Sequence, residues 1–258
     1  MNQRSTPTSN PFSTRFIRPG ATTYRFPPGV SETTLAKSFF ENHGGRAAIV
    51  GPHGSGKTSL LYALAPHLGI IVESHLCDGD PIPKSKDDSG KSTASRLHVF
   101  WFRLMVRGRE SSPHAHVHRT PQRESLQALM HSRRKWQANT LLVIDGWEQI
   151  RWPMRGWIYW NAKRSQAKLL VTSHRKTILP TLWDSQVRPE IAQQVVRDLL
   201  EAAQSETQVL GQEQIGHICD PIRLQQAVAA NQGSLREVLF QLYDEFEHTC
   251  RSDQQKGS

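Results

Sequence analysis

The chain has 258 residues, of which 37% are apolar, and it carries a formal net charge of +9. That length and apolar content allow one α/β core with a small accessory domain. No apolar run approaches the roughly 20 residues of a membrane helix, and the N-terminus lacks the apolar stretch of a secretory signal. Three cysteines lie far apart, which argues against a disulfide framework or a zinc site. We therefore expect a cytoplasmic protein with no membrane span.

The excess of positive charge is spread over the chain rather than gathered in one tail. It favours contact with an anionic partner such as nucleic acid or lipid headgroups. Good solubility explains the same charge equally well, so the sequence leaves both explanations open.

Residues 1–35 are expected to form a flexible N-terminal arm. Up to about residue 30 the segment is rich in Ser, Thr, Pro and Arg, and its aromatic residues are isolated from one another. A segment of this composition cannot build a core by itself.

The pattern changes near Arg46, and residues 36–187 are expected to form an α/β core. Short apolar runs are typical of strands that are buried on both faces of a parallel sheet. Such runs occur at 47–50, 97–102, 141–144 and 169–171, with a weaker one at 181–183. Helical patterns separate them at 57–65, 121–136 and 153–163, as crossover helices do. Irregular stretches at 74–94 and 108–119 are expected to be mobile loops.

After about Arg188 the strand patterns stop and only helical patterns remain. We expect residues 188–248 to form a small, lid-like helical domain and residues 249–258 to be a disordered tail.

Residues 51–58 read Gly-Pro-His-Gly-Ser-Gly-Lys-Thr, which matches the phosphate-loop (Walker A) pattern G-x-x-x-x-G-K-[ST]. The motif stands between an apolar strand run and an apolar helix pattern, as it must. Its glycines let backbone N–H groups face phosphate oxygens, and the helix that follows adds the positive end of its dipole. Lys57 is expected to reach the β- and γ-phosphates, and the Thr58 hydroxyl to ligate magnesium. The predicted nucleotide-binding residues are Gly51, Pro52, His53, Gly54, Ser55, Gly56, Lys57, Thr58 and Ser59.

Asp145 ends the apolar run that begins at Thr140. A carboxylate at the C-terminal end of a parallel strand is well placed beside a phosphate loop. We expect Asp145 to hold magnesium, as the Walker B residue does.

Together these two motifs resemble the additional-strand (ASCE) class of P-loop ATPases, which includes the AAA+ and STAND families. The resemblance implies a P-loop NTPase fold, that is a three-layer α/β/α parallel sheet, here with a small C-terminal helical domain. In that class a Glu near the magnesium Asp polarises the attacking water, and in many members it follows the Asp directly. Here Gly146 occupies that position and Glu148 is the first candidate. Glu148 could equally stabilise the start of a helix.

Two further positions are similar to sensor residues of the same families. The strand that ends at 168–173 suggests Thr172 as the sensor-1 residue, with Ser173 as the second choice. Gly233-Ser-Leu-Arg236 resembles the start of the sensor-2 helix, and Ser234 with Glu237 forms a capping-box pattern. Arg236 would then lie in the first helical turn, where the dipole disfavours a cation unless an anion such as phosphate is near. A solvated arginine remains the alternative.

The resemblance implies an ATPase that binds ATP and Mg²⁺ and uses hydrolysis to drive a conformational switch acting on a partner. Adenine is preferred because no Asn-Lys-x-Asp motif for guanine occurs. Catalytic roles are implied for Lys57, Glu148, Thr172 and Arg236. The rivals are a nucleic-acid-associated ATPase, a non-hydrolysing nucleotide-binding scaffold and, less favoured, a small-molecule kinase. A protein partner and a homo-oligomer are also left open.

Two other groups of residues could form a metal site or a nucleic-acid-binding surface. His114, His116 and His118 alternate, but no companion ligand is near them, and a flexible loop explains them better than a metal site. Tryptophans interleave with basic residues at 147–164, which would suit either base stacking or the packing of a helix against the sheet. Packing is the preferred interpretation.

Overall fold

The computed structural model describes residues 10–13, 24–68, 70–71, 97–104, 122–207, 216 and 218–256. Both predicted loops, at 74–94 and 108–119, lie outside the described residues, and so do His114, His116 and His118. Contacts along the described chain divide it into two compact units. The sheet unit comprises Val30–Gly51 and Leu60–Asp184, and the helical unit comprises Met1–Gly29, Pro52–Ser59 and Ser185–Ser258.

In the described part of the sheet unit six strands form one sheet, and every pair is parallel. Their order is β2-β3-β4-β5-β1-β6. The predicted α/β fold with a parallel sheet is therefore confirmed. The strands are β1 (Arg46–Val50), β2 (Ile70–Ile71), β3 (Leu97–Arg103), β4 (Thr140–Asp145), β5 (Lys168–Ser173) and β6 (Thr181–Asp184).

Seven longer helices occur in the described residues. Those that begin before residue 185 are α1 (Glu32–Glu41), α2 (Lys57–Leu64), α3 (Gln122–Ser132) and α4 (Trp152–Arg164). Those of the helical unit are α5 (Pro189–Thr207), α6 (Pro221–Ala230) and α7 (Leu235–Lys256). None of the described helices is long and apolar enough to cross a membrane.

The core of the sheet unit is built on the central strands. Every residue of β4 is buried, and in β5 all but the first are. Burial on both faces explains why these strands appear in the sequence as unbroken apolar runs. Helix α4 contributes Ile158 and Ala162 to the same core.

The helical unit has a separate core made by α5, α6 and α7. Phe12 belongs to this core: it is 1% exposed, and its ring lies edge-on to Phe246 at 6.5 Å. Asn10 fixes the backbone nearby, because its side-chain amide donates to the Tyr243 carbonyl at 3.1 Å. This part of the predicted arm is thus packed into the helical unit.

Both ends of the chain contain helix that the sequence patterns did not indicate. Helix α1 begins at Glu32, inside the predicted arm, and the Ser31 and Thr34 side chains each bond to the other's backbone N–H in a capping box. Helix α7 continues to Lys256, through most of the predicted tail. No Gly or Pro interrupts residues 235–256, and Arg, Gln and Lys are good helix formers.

Candidate functional site

The phosphate loop connects β1 to α2, and its residues 52–59 lie in the helical unit. Lys57 is the first residue of α2 and is buried, and its Nζ donates to the Pro52 carbonyl at 2.6 Å. This hydrogen bond holds the Lys57 ammonium group against the phosphate loop. The start of a helix is a suitable place for an anion because the positive end of the helix dipole lies there.

Gly54 is required by two features of the loop. Its φ is +72°, which residues with a side chain rarely adopt. A Cβ at this position would also overlap Ser234 Oγ and come within 2.9 Å of Arg236 Cβ. Gly54 thus allows the first turn of α7 to approach the loop closely, and it brings Arg236 beside the predicted phosphate site.

The start of α7 is capped by Ser234, whose hydroxyl accepts from the Glu237 amide at 3.4 Å. This is half of the predicted capping box. The Ser234 amide instead donates to the Asn231 carbonyl at 2.9 Å. The helix start is therefore fixed by the cap and by the turn before it, and exposed Arg236 lies in its first turn.

Two residues that the sequence did not single out support the loop from within the helical unit. Ser185 donates its hydroxyl to the Ser55 carbonyl at 2.6 Å, and Tyr24 Oη lies 3.2 Å from Ser185 Oγ. The Tyr24 ring packs against Gly56, since a Cβ there would lie 3.2 Å from Tyr24 Cε2. Ser55 Oγ is buried and has no hydrogen-bond partner among the described residues. A buried, unpaired hydroxyl in a phosphate loop is a ready donor for a ligand oxygen.

Asp145 lies at the carboxyl end of β4 and is buried. Its Oδ1 accepts from Thr172 Oγ1 at 2.6 Å, and Thr172 in turn accepts from the Gly146 amide at 2.9 Å. Thr172 is fully buried at the end of β5. The structure thus brings the predicted magnesium residue and the predicted sensor residue into direct contact.

Arg103 is a third member of this group, and the sequence analysis missed it. It ends β3 opposite Asp145, and its Nε lies 3.5 Å from Asp145 Oδ2. Its guanidinium also lies over the Tyr62 ring, 5.9 Å from the centroid. Its position could have indicated a role, because Arg103 directly follows the predicted strand 97–102 and so lies at the carboxyl end of the sheet.

Gly146 directly follows Asp145, at the position where the resemblance to P-loop ATPases would lead one to expect a glutamate, and its backbone explains why no glutamate is there. Its φ is +96°, and a Cβ would overlap the carbonyl oxygen of Leu104. Only glycine fits between β4 and the chain that leaves β3. A glutamate directly after Asp145 is therefore excluded by backbone packing.

Glu148 lies in a short 3₁₀ turn, Trp147–Gln149, that is anchored by the buried Trp147 side chain. Its Oε1 lies 3.3 Å from His174 Nε2, just after β5. The Glu148 carbonyl accepts from Arg155 at 2.8 Å. Glu148 Oε2 is buried and has no hydrogen-bond partner in the described part of the chain. One carboxylate oxygen is thus held by His174, while the other remains available.

The carboxyl ends of β1, β5 and β4 share one edge of the sheet, with β5 in the middle. The Gly51 amide, at the beginning of the phosphate loop, donates to the Ser173 carbonyl at 3.2 Å. One strand therefore separates the strand that leads into the phosphate loop from the strand that ends in Asp145.

The remaining predicted residues are less informative. His53 is exposed, and Pro52, Thr58 and Ser59 are partly buried. Among the described residues no cluster of three His, Cys, Asp or Glu side chains would hold a metal by itself. The predicted donors, the Thr58 hydroxyl and the Asp145 carboxylate, are hard oxygen ligands of the kind Mg²⁺ prefers when phosphate and water complete its shell.

Cys219 is a free thiol in the described chain. Burial raises its pKa from the usual value, so the thiol is protonated and unreactive at neutral pH. It is therefore a poor candidate for a nucleophile.

No protein-family model matches the chain. A search of curated proteins likewise finds no match. Function must therefore be inferred from the residues themselves, of which the phosphate loop and the Asp145–Thr172 pair are the best defined.

Proposed function

We propose that this chain is a P-loop ATPase of the additional-strand class, similar to AAA+ and STAND ATPases, that binds ATP with Mg²⁺ and hydrolyses it. The observation that carries the proposal is the phosphate loop. A complete Walker A sequence stands between a buried strand and a helix start, and Lys57 is held over the loop by its bond to the Pro52 carbonyl.

The strand order supports the same proposal. One strand, β5, lies between the strand that leads into the phosphate loop and the strand that ends in Asp145. Here β5 pairs with β1 on one side and with β4 on the other. Thr172 at the end of β5 also contacts Asp145, which suits a polar residue that links the two strand ends.

Each residue would have a separate task. Lys57 and the N–H groups of the loop would bind the β- and γ-phosphates. Thr58 and Asp145 would hold Mg²⁺, which supplies neutralising charge to the phosphates when it is bound. The unpaired Ser55 hydroxyl would donate to a phosphate oxygen. Arg236, in the first turn beside Gly54, would sense the bound phosphates and couple them to the helical unit.

Glu148 is the proposed general base. Its buried, unpaired Oε2 is free to accept a proton from water, while His174 holds Oε1 and thereby orients the carboxylate. Conformational change in the helical unit would then follow turnover and act on a partner.

A non-hydrolysing scaffold is the second candidate, and one observation favours it. Glycine stands directly after Asp145, and Glu148 already has a partner in His174. If that pair is only structural, nucleotide would bind and persist.

Steady-state release of inorganic phosphate from MgATP separates these functions. We expect turnover by the parent, and its loss in Lys57→Ala and Asp145→Asn. Lys37→Ala, at an exposed position on α1, is the matched control and should keep parent activity. Binding of ATP with no phosphate release by the parent would establish the scaffold instead, and release that is unaffected by Lys57→Ala would contradict the proposed site.

A further inference from the structure

The outer face of α4 carries two exposed tryptophans. Trp152 is 78% exposed and Trp160 is 55% exposed, whereas Trp157 on the same helix packs into the core of the sheet unit. Burying an indole is strongly favourable, so two indoles left in water on one helix are unusual. Packing against the sheet, the interpretation preferred from sequence, therefore accounts for Trp157 but not for these two.

Gly156 separates the two indoles. The positions 152, 156 and 160 are four residues apart, so they lie on one face of the helix. A Cβ at Gly156 would meet no atom within 4 Å. The face thus presents two aromatic walls about 12 Å apart along the helix axis, with an open gap between them.

Cations border this face. The Arg164 guanidinium lies over the Trp160 ring at 5.5 Å from its centroid, and Arg151 and Lys163 are exposed beside it. Between residues 125 and 183 the sequence has ten Lys and Arg but only two acidic residues, Asp145 and Glu148. Both acidic residues belong to the candidate site. Helix α4, together with Arg151 before it, carries four Lys and Arg and no acidic residue.

The positive surface continues to the turn at 133–135. Arg133 Nε donates to Asn161 Oδ1 of α4 at 2.6 Å, and its guanidinium lies 5.8 Å from the centroid of Trp157. Next to it, Arg134 and Lys135 border a cleft of about 370 Å³. Gln137 and Asn139 add amide groups to the wall of that cleft. Stacking surfaces, cations and hydrogen-bonding groups thus follow one another along the sheet unit.

We infer that the outer face of α4 and the 133–135 turn bind single-stranded nucleic acid. Bases would stack on Trp152 and Trp160, and phosphates would contact the flanking arginines and lysines. Single strands are specified because stacking on an indole needs a base that is not already stacked in a duplex. The inference goes beyond the proposed ATPase and does not depend on it.

An anionic membrane surface would also attract tryptophan and cations. A helix that binds membranes buries a continuous apolar face in the headgroup region. The apolar side of α4, including Ile158 and Ala162, is instead packed in the core of the sheet unit. What remains outside is two separate rings with an open gap, which suits discrete bases better than lipid.

Fluorescence anisotropy tests this with labelled oligo-dT and oligo-U of about 20 nucleotides, long enough to cover the surface. Binding is measured without ATP, at low and at physiological ionic strength. We expect the parent to bind, and Trp152→Ala/Trp160→Ala to bind at least about tenfold more weakly. Ile178→Ala is the matched control, since Ile178 is 72% exposed on the same unit, and its affinity should stay within about twofold of the parent.

Salt dependence distinguishes stacking from charge. The slope of log affinity against log salt should be unchanged in the tryptophan variant and shallower in Lys163→Ala/Arg164→Ala. Phosphate release from ATP should be unchanged in the tryptophan variant. The nucleic-acid inference and the proposed ATPase activity are therefore tested independently.

Three results would overturn the inference: no binding by the parent at low salt, equal affinity of the parent and the tryptophan variant, or binding only to phosphatidylserine vesicles. An unchanged melting temperature of the variant would show that any loss of affinity comes from the missing tryptophans and not from unfolding.

Discussion

Glu148 and Thr172 differ in what their hydrogen bonds leave free. Thr172 uses its hydroxyl to donate to Asp145 and to accept from Gly146, so in this state it supports the magnesium residue. Glu148 keeps one buried oxygen that has no hydrogen-bond partner among the residues that the structure describes. Leaving a buried carboxylate oxygen unpaired costs free energy, and such groups cluster at functional sites. Glu148 is therefore the better candidate for chemistry, and Thr172 for positioning.

Glu148→Gln should retain ATP and magnesium binding and slow turnover by about 10²- to 10⁴-fold. The amide keeps the shape of the side chain and a contact to His174, but it cannot accept a proton from water. Single-turnover phosphate release and calorimetric ATP binding measure the two effects. Glu190→Gln, at an exposed position of α5, is the control. If Glu148→Gln turns over like the parent, Glu148 only stabilises its turn.

The first turn of α7 packs against the phosphate loop at Gly54, and both belong to the helical unit. A cation there opposes the helix dipole by about 0.3 to 1 kcal/mol unless an anion is near. Arg236 Cβ lies close to Gly54, so bound phosphate would supply that anion.

Arg236→Ala should leave the helical unit folded, because Val238, Leu239 and Leu242 keep the packing of α7. It should reduce the ATP-induced protection of residues 188–246 from hydrogen exchange. Arg188→Ala, also exposed in the helical unit, is the matched control. Identical ATP-induced protection in Arg236→Ala and the parent would leave Arg236 a solvated residue with no sensor role.

Phe12 ties the N-terminal segment to the helical core. Phe12→Ala should lower the free energy of unfolding by about 3 to 5 kcal/mol, since it removes a buried ring from a packed cluster. Phe240→Ala is the control, because Phe240 is 38% exposed on α7 and should matter far less. Urea unfolding monitored by circular dichroism measures both. Equal midpoints for Phe12→Ala and the parent would show that the segment is not part of the core.

The strands and the phosphate loop were predictable because each is a local pattern. Unbroken apolar runs predicted β1, β3, β4 and β5 to within two residues at each end. Helix α1 was missed although Ser31 and Thr34 give a capping signal and Leu35 and Phe39 are four residues apart. The polar, Pro-containing stretch that precedes this segment obscures the signal.

Contacts between residues far apart in sequence could not be predicted from local sequence patterns. The Arg103–Asp145 pair depends on the register of β3 against β4, and the burial of Phe12 depends on helices that begin only at Pro189. The packing of Tyr24 on Gly56 is of the same kind. Patterns in a single sequence indicate which residues carry chemistry, but their partners are set by tertiary packing.

At the scale of the whole chain, segment 125–183 stands out because it has ten Lys and Arg but only two acidic residues. The acidic residues of segment 125–183 are confined to the candidate catalytic group, while its cations extend along α4 and the turn at 133–135. The proposed nucleotide site and the proposed surface for an anionic partner are built from different residues, so each can be tested with its own variants. The proposed ATPase has one central requirement, which is that the phosphate loop binds the triphosphate.

Calorimetric titration of MgATP into the parent and into Lys57→Ala tests that requirement most directly. The ammonium supplies charge to the phosphates and adds little to the core, so the variant should stay folded in a thermal melt. Lys37→Ala should bind as the parent does. We predict saturable ATP binding by the parent and its loss, or a weakening of at least about tenfold, in Lys57→Ala. Equal ATP affinity of Lys57→Ala and the parent would contradict the account.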